Sequence, residues 1–142
     1  MRSIVIVALQ ISLIVAMALP LGAGAWSLPA TALIAAGIAV GVWALSTNRP
    51  GNFNIRPEPK SGGQIVTRGP YAYVRHPMYL GVMLAMLGFC LGYGEHWRWA
   101  ALAALGIVLV IKMNIEESAM TARHPGYADY ARSTKRIVPF LW

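Results

Sequence analysis

The run Arg68-Gly69-Pro70-Tyr71-Ala72-Tyr73-Val74-Arg75-His76-Pro77-Met78-Tyr79-Leu80-Gly81 sets two arginines, an imidazole and three phenols against the start of an apolar stretch. Such a set can bind anions, cover a cation or a ring with aromatic faces, and hold a proton near neutral pH. About thirty residues on, Lys112, Glu116 and Glu117 close the next apolar stretch. Ionisable groups in that position on a membrane helix mark a functional site. Lys112 and Glu116 are four apart and so share a helical face, while Glu117 points about 100° away from Glu116. A single zwitterion would satisfy both clusters. Its ammonium would meet Glu116 and its carboxylate would meet His76, Lys112 or the helix start, with tyrosines over a ring or a sulfonium.

Composition says what kind of scaffold must bring these clusters together. The chain has 142 residues, of which 57% are hydrophobic and only 12% charged, which excludes an ordinary soluble domain and fits a helical membrane protein. Four apolar segments stand out: Ser3–Leu21, Leu28–Thr47, Pro77–Tyr93 and Trp97–Ile115. The first is too long for a signal-peptide core of ~7–15 residues, despite the small residues Ala23-Gly24-Ala25 after it. The first two are expected to form a helical hairpin. Pro77 suits a first helical turn, so the third helix begins at His76-Pro77 with its unpaired N–H groups facing the polar cluster. The expected fold is all-α, a single domain over residues 1–142 built as a bundle of four transmembrane helices. A loop over 48–76 and a tail over 116–142 would form a pocket at its mouth. Gly37-x-x-x-Gly41 and Gly88-x-x-x-Gly92 would let helix backbones approach closely, within one chain or between two.

The basic residues are sorted by side. Arg49, Arg56, Lys60, Arg68 and Arg75 fall between the second and third spans, Lys112, Arg123, Arg132, Lys135 and Arg136 fall at or after the end of the fourth, and Arg2 precedes the first. The opposite side holds only Arg98. The positive-inside rule then places both termini and the central loop in the cytoplasm, with both clusters on one face of what is expected to be a bacterial inner (plasma) membrane. The net charge of +7 is accounted for by topology and anionic lipid, so the expected partner is the bilayer and not nucleic acid. The lone cysteine, Cys90, lies in an apolar run, which excludes a disulfide framework and a thiolate metal cluster, and no metal site is expected.

These residues resemble the integral membrane isoprenylcysteine carboxyl methyltransferases, with the phospholipid N-methyltransferases as near relatives. The match runs through Gly51-Asn52-Phe53-Asn54, Val66-Thr67-Arg68-Gly69-Pro70-Tyr71, Arg75-His76-Pro77-x-Tyr79-x-Gly81, Glu116-Glu117, Tyr127-x-x-Tyr130 and Arg136-x-x-Pro139-Phe140. The resemblance implies an enzyme that transfers a methyl group from S-adenosylmethionine, leaving S-adenosylhomocysteine, to a lipophilic small molecule entering from the bilayer. By position it implicates Ile65, Val66, Tyr71, His76, Pro77, Met78, Tyr79 and Glu116 in holding the cofactor. It also implicates Lys112 in holding the substrate, and Arg75 is a further candidate for the same role. The family's arginine one turn before the glutamate is Lys112 here, which keeps the charge and loses the planar fork. In the tail, His124-Pro125-Gly126 replaces the usual Phe-Gly segment.

Methyl transfer from a sulfonium is an in-line displacement in which alignment and desolvation do most of the work. In this reading Lys112 and Glu116 are the catalytic pair: Lys112 orients an ionised nucleophile, most simply an isoprenylcysteine-like carboxylate, and Glu116 holds the cofactor ammonium. A phospholipid or other amine would instead have to be neutral, with Glu117 or His76 as base. Two other classes compete: a membrane sterol or enone reductase using NADPH, and a non-catalytic helical scaffold.

Overall fold

The structure is a computed structural model and describes residues 2–48 and 64–139. The Gly51–Asn54 motif, Arg49, Arg56, Lys60 and Phe140 lie outside the described residues. Within them the protein is all-helical, with α1 (Arg2–Ala18), α2 (Leu28–Thr47), α3 (Pro77–Tyr93), α4 (His96–Arg123) and α5 (Tyr127–Ser133), and a 3₁₀ turn at Gly69–Ala72. Ser27 caps α2 by accepting a hydrogen bond from the Ala30 amide at 3.4 Å, and Pro29 sits in its first turn. His76 caps α3, with Pro77 at its start as the sequence predicts. The 28 residues of α4 run about 42 Å, longer than a hydrocarbon core of about 30 Å, so its last turns can stand clear of lipid. Those turns carry Glu116 and Glu117.

Two helices, α2 and α4, are long and apolar enough to cross a membrane, whereas α3 and the apolar part of α1 (Ser3–Ala18) are shorter. The first segment, expected to reach Leu21, ends as helix at Ala18, just ahead of Pro20. Arg98 finishes it. Fully buried, its guanidinium donates to the Met17 carbonyl and, at 2.8 Å, to the Leu19 carbonyl, so a side chain from α4 binds backbone carbonyls where α1 ends. The Tyr93 and Trp97 rings lie 4.0 and 4.6 Å from the same guanidinium.

Helix order in the chain is not the order of packing. The expected α1–α2 hairpin does not form: α2 lies along α3, and α1 packs on α4 and α3. The reason is visible in the glycines. A Cβ built on Gly37 would stand 2.5 Å from the Gly81 carbonyl and 2.6 Å from the Ala85 amide, and one on Gly88 would stand 2.6 Å from the Ala30 carbonyl. Only glycine permits that approach, so α2 and α3 select each other. Met17, Met86, Cys90, Leu105 and Leu109 form the core where α1, α3 and α4 meet. Outward lie Ile4, Leu9, Val15, Ile38, Val42, Ile107 and Ile111, exposed aliphatics of the kind that face lipid in a membrane protein.

Candidate functional site

The site forms where the start of α3 meets the end of the apolar part of α4. Gly69 (φ +59°) turns the chain beneath α2, where a Cβ would meet Thr47 Oγ1 at 2.6 Å, and the 3₁₀ turn then delivers Tyr71. A short parallel bridge between Val74 and Lys135 brings the C-terminal segment alongside. The Arg75 amide donates to the Lys135 carbonyl at 2.8 Å and the His76 amide donates to the Arg136 carbonyl at 3.0 Å. The two residues that lead into α3 are therefore held by chain from the other end of the molecule.

Around His76 the two glutamates divide. His76 Nε2 is 3.0 Å from Glu117 Oε1, and Nδ1 is 3.5 Å from Glu116 Oε2. Both ring nitrogens face carboxylates, the arrangement of a doubly donating imidazolium. Burial opposes that charge, but the hydrogen bonds from the ring to Glu116 and Glu117 outweigh it and raise the His76 pKa above its ordinary value. Glu117 also accepts from Arg75 Nε at 2.9 Å and from Arg136 Nη2 at 2.9 Å. Burial alone would favour its neutral form, yet hydrogen bonds from His76, Arg136 and Arg75 hold its carboxyl well below the usual carboxylate range. Glu116 is less committed. It accepts the Tyr79 hydroxyl at 2.5 Å and has the His76 ring 3.5 Å from its other oxygen. The Tyr79 ring stacks on His76 with centroids 5.3 Å apart and 2° between planes. Burial and the nearby Glu116 charge push the Tyr71 phenol up.

The structure thus brings His76, Tyr79 and Glu116 together, with the Glu116 charge felt at Tyr71. Lys112, almost wholly buried, makes no ion pair among the described residues; its ammonium donates to Gln10 Oε1 of α1 at 2.9 Å and lies 5.2 Å from the Tyr79 ring. Arg75 faces Glu117 and the Ala131 and Thr134 carbonyls, at 2.8 and 2.6 Å, and its guanidinium is engaged on all these sides. Pro77 is buried in the first turn of α3 with Met78 half-buried beside it. Ile65 and Val66 line, with Gln64, Thr67 and Arg68, a cleft of about 210 Å³ that neither His76 nor Glu116 lines.

This arrangement, a polar corner with an exposed apolar belt below it, coincides with a match to a known family. The family described as phospholipid methyltransferase matches residues 25–126, well over half of the chain. The chain belongs to the phospholipid methyltransferase family. Membership in this methyltransferase family, with two helices able to span a bilayer, makes it a membrane protein. It is similar to the cobalt-zinc-cadmium resistance protein CzcN of Cupriavidus metallidurans, 34% identical over 84 residues that cover 58% of this chain and 38% of that protein. The nickel-cobalt-cadmium resistance protein NccN of Alcaligenes xylosoxydans xylosoxydans is 32% identical over 80 residues, covering 55% of this chain and 37% of it. The chain therefore spans well under half the length of these curated relatives. No solved structure matches it. Among the described residues, no group of three or more His, Cys, Asp or Glu side chains could hold a metal ion.

The family match starts after α1, and α1 supplies the residue that sequence reasoning missed. Gln10 is an amide inside an otherwise apolar run, and that was its only signal. Asn114, which accepts from Arg136 Nη2 at 2.6 Å, was likewise unassigned. Tyr130 donates to the Tyr71 carbonyl at 2.7 Å, so the C-terminal tyrosines seat the loop that carries Tyr71. Burial, with the nearby Glu117 charge, pushes the Tyr127 phenol up to about 12.

Proposed function

We propose that this protein transfers a methyl group from S-adenosylmethionine to a lipophilic acceptor at the cytoplasmic face of a membrane. The observation that carries the reading is the corner of His76, Tyr79 and Glu116 at the polar end of the α3–α4 pair, inside the family match. Its donor set fits the cofactor. Glu116 is a carboxylate with acceptor sites left for an ammonium, while the His76 imidazolium and the open helix start suit a carboxylate or ribose. Bound there, the cofactor would supply the electrophilic methyl; the chain's own residues bind, orient and exclude water. Tyr71 and Tyr79 offer faces to the sulfonium, and Lys112 directs an acceptor toward the corner. Ile65, Val66, Pro77 and Met78 are assigned to the cofactor's surroundings, and Arg75 to the walls of the site.

In this reading the chain is one domain that crosses a bacterial inner membrane four times, with α1 and α3 as short spans and both ends in the cytoplasm. An isoprenylcysteine-like carboxylate is the first acceptor proposed, because the Lys112 ammonium lacks an ion pair among the described residues and can receive an anion. Family membership favours a second acceptor, the amine of a phospholipid head group. Titration of S-adenosylhomocysteine into the detergent-solubilised chain, with NADPH as competitor, tests the cofactor class. Saturable binding that is lost in His76→Ala and Glu116→Ala supports the reading; NADPH binding in its place overturns it. Transfer of labelled methyl to N-acetyl-S-farnesylcysteine or to dioleoylphosphatidylethanolamine then separates the acceptors.

A further inference from the structure

Five hydrogen bonds from three cationic side chains converge on the carboxylate of Glu117: one each from Arg75 and His76, and three from Arg136, which reaches Oε1 through Nε and Oε2 through both Nε and Nη2. The three cations come from different places. Arg75 and His76 precede α3, Arg136 lies beyond α5, and Glu117 itself is on α4. Arg75 extends the set by binding the Ala131 and Thr134 carbonyls, and the Tyr130 hydroxyl binds the Tyr71 carbonyl. With the Val74–Lys135 bridge, these bonds fasten residues 127–139 to the loop before α3. Without the Glu117 charge, three like charges would face one another in a mostly buried space, since the side chains of Arg75, His76 and Arg136 are 10%, 8% and 21% exposed. Neither substrate nor cofactor needs to touch Glu117 for it to matter.

We infer that Glu117 is a positioning residue: by gathering Arg75, His76 and Arg136 it fixes the His76 ring against Tyr79 and Glu116 and ties residues 127–139 across the site. The inference rests on the cofactor reading above only for the claim that His76 contacts the cofactor. Glu117 sets the ring's orientation from Nε2, which leaves Nδ1 directed at Glu116 and the stacked face on Tyr79. It also sets the ring's charge. His76 is faced by Glu116 and Glu117 of α4 and Tyr79 of α3, with Arg75 and Arg136 beyond Glu117.

The test uses the full chain in lipid nanodiscs, with S-adenosylhomocysteine as probe and backbone hydrogen exchange over residues 127–139 as a second readout. Glu117→Gln and Arg136→Met are each expected to speed exchange there by about tenfold or more, with the buried middle of α3 unchanged. Glu117→Gln should weaken the probe by about tenfold, and Glu117→Asp should recover part of that loss. The affinity of the parent should fall as pH rises and His76 loses its proton. In Glu117→Gln that fall should move to lower pH, and in Arg136→Met it should not, which a merely structural role would not produce. Unchanged exchange in both variants overturns the tie. A parent that binds the probe while Glu117→Gln binds it equally well overturns the positioning role. A parent that fails to bind overturns the cofactor reading and with it that role, while the exchange result still decides the tie.

Discussion

At the scale of single residues, neighbouring glutamates sit in different surroundings. Glu117 is surrounded by cations, whereas Glu116, among the described residues, receives a phenol and faces only the His76 ring besides, which is why the proposal gives it the cofactor ammonium. Glu116→Ala is therefore expected to weaken S-adenosylhomocysteine by about tenfold to a hundredfold, the worth of a charged hydrogen bond of roughly 1.5–3 kcal/mol. Lys112→Ala should leave that affinity close to the parent's and lower methyl transfer to the acceptor instead; equal loss of cofactor in both variants would put Lys112 in the cofactor site. The same network predicts a stability profile. Glu117 has a depressed folded pKa, so its contribution is present above the ordinary carboxyl value of 4.5 and is lost as pH falls through the depressed one. His76 has a raised folded pKa, so its contribution is complete below 6.5 and is lost as pH rises through the raised value. Melting in detergent should be highest between those limits and fall above them. His76→Gln should flatten the alkaline side, and a parent melting temperature that climbs steadily from pH 6 to pH 9 would contradict the assignment.

At the scale of helices, the legible parts were those whose cause is local. Pro77 marks the start of α3, Ser27-Leu28-Pro29 marks the start of α2, and the four-residue spacing puts Lys112 and Glu116 on one face. Motif residues His76, Tyr79 and Glu116 could be grouped because the resemblance already joined them. Partners chosen across the fold could not be read. Arg75 meets Glu117 over 42 residues and Lys112 meets Gln10 over 102, distances at which spacing says nothing about contact. Glycine spacing shows the same limit. Gly37 and Gly41 look equivalent in sequence, yet a Cβ on Gly37 strikes the α3 backbone while one on Gly41 meets nothing within 4 Å. Gly37→Ala should destabilise the α2–α3 pair by about 1–3 kcal/mol, as overpacking does. Gly41→Ala should be neutral or slightly stabilising, since alanine favours helix over glycine by about 1 kcal/mol. Thermal melting of the two variants side by side would decide, and equal destabilisation would mean that Gly41 also lies at a tight contact.

At the scale of the whole molecule, the charge distribution and the site geometry make one joint demand. The corner built from α3 and α4 can open to the cytoplasm only if the α3–α4 pair crosses the membrane with its turn on the far side. That turn holds Glu95 and His96 and lies next to the buried Arg98, whose bonds to the end of α1 put that end on the same side. The exposed positions His96 and Ser133 lie at opposite ends of the assembly, and Cys90 is buried, so the parent thiol gives a quiet background for labelling. Cysteine at Ser133 should react with a membrane-impermeant maleimide only in inside-out vesicles, and cysteine at His96 only in right-side-out cells. A shared sidedness would show that α4 does not carry the chain across the bilayer between His96 and Ser133, and the four-span reading would fall. Opposite sidedness would place Glu117 and residues 127–139 together on the cytoplasmic side, the side that the proposed methyl transfer requires.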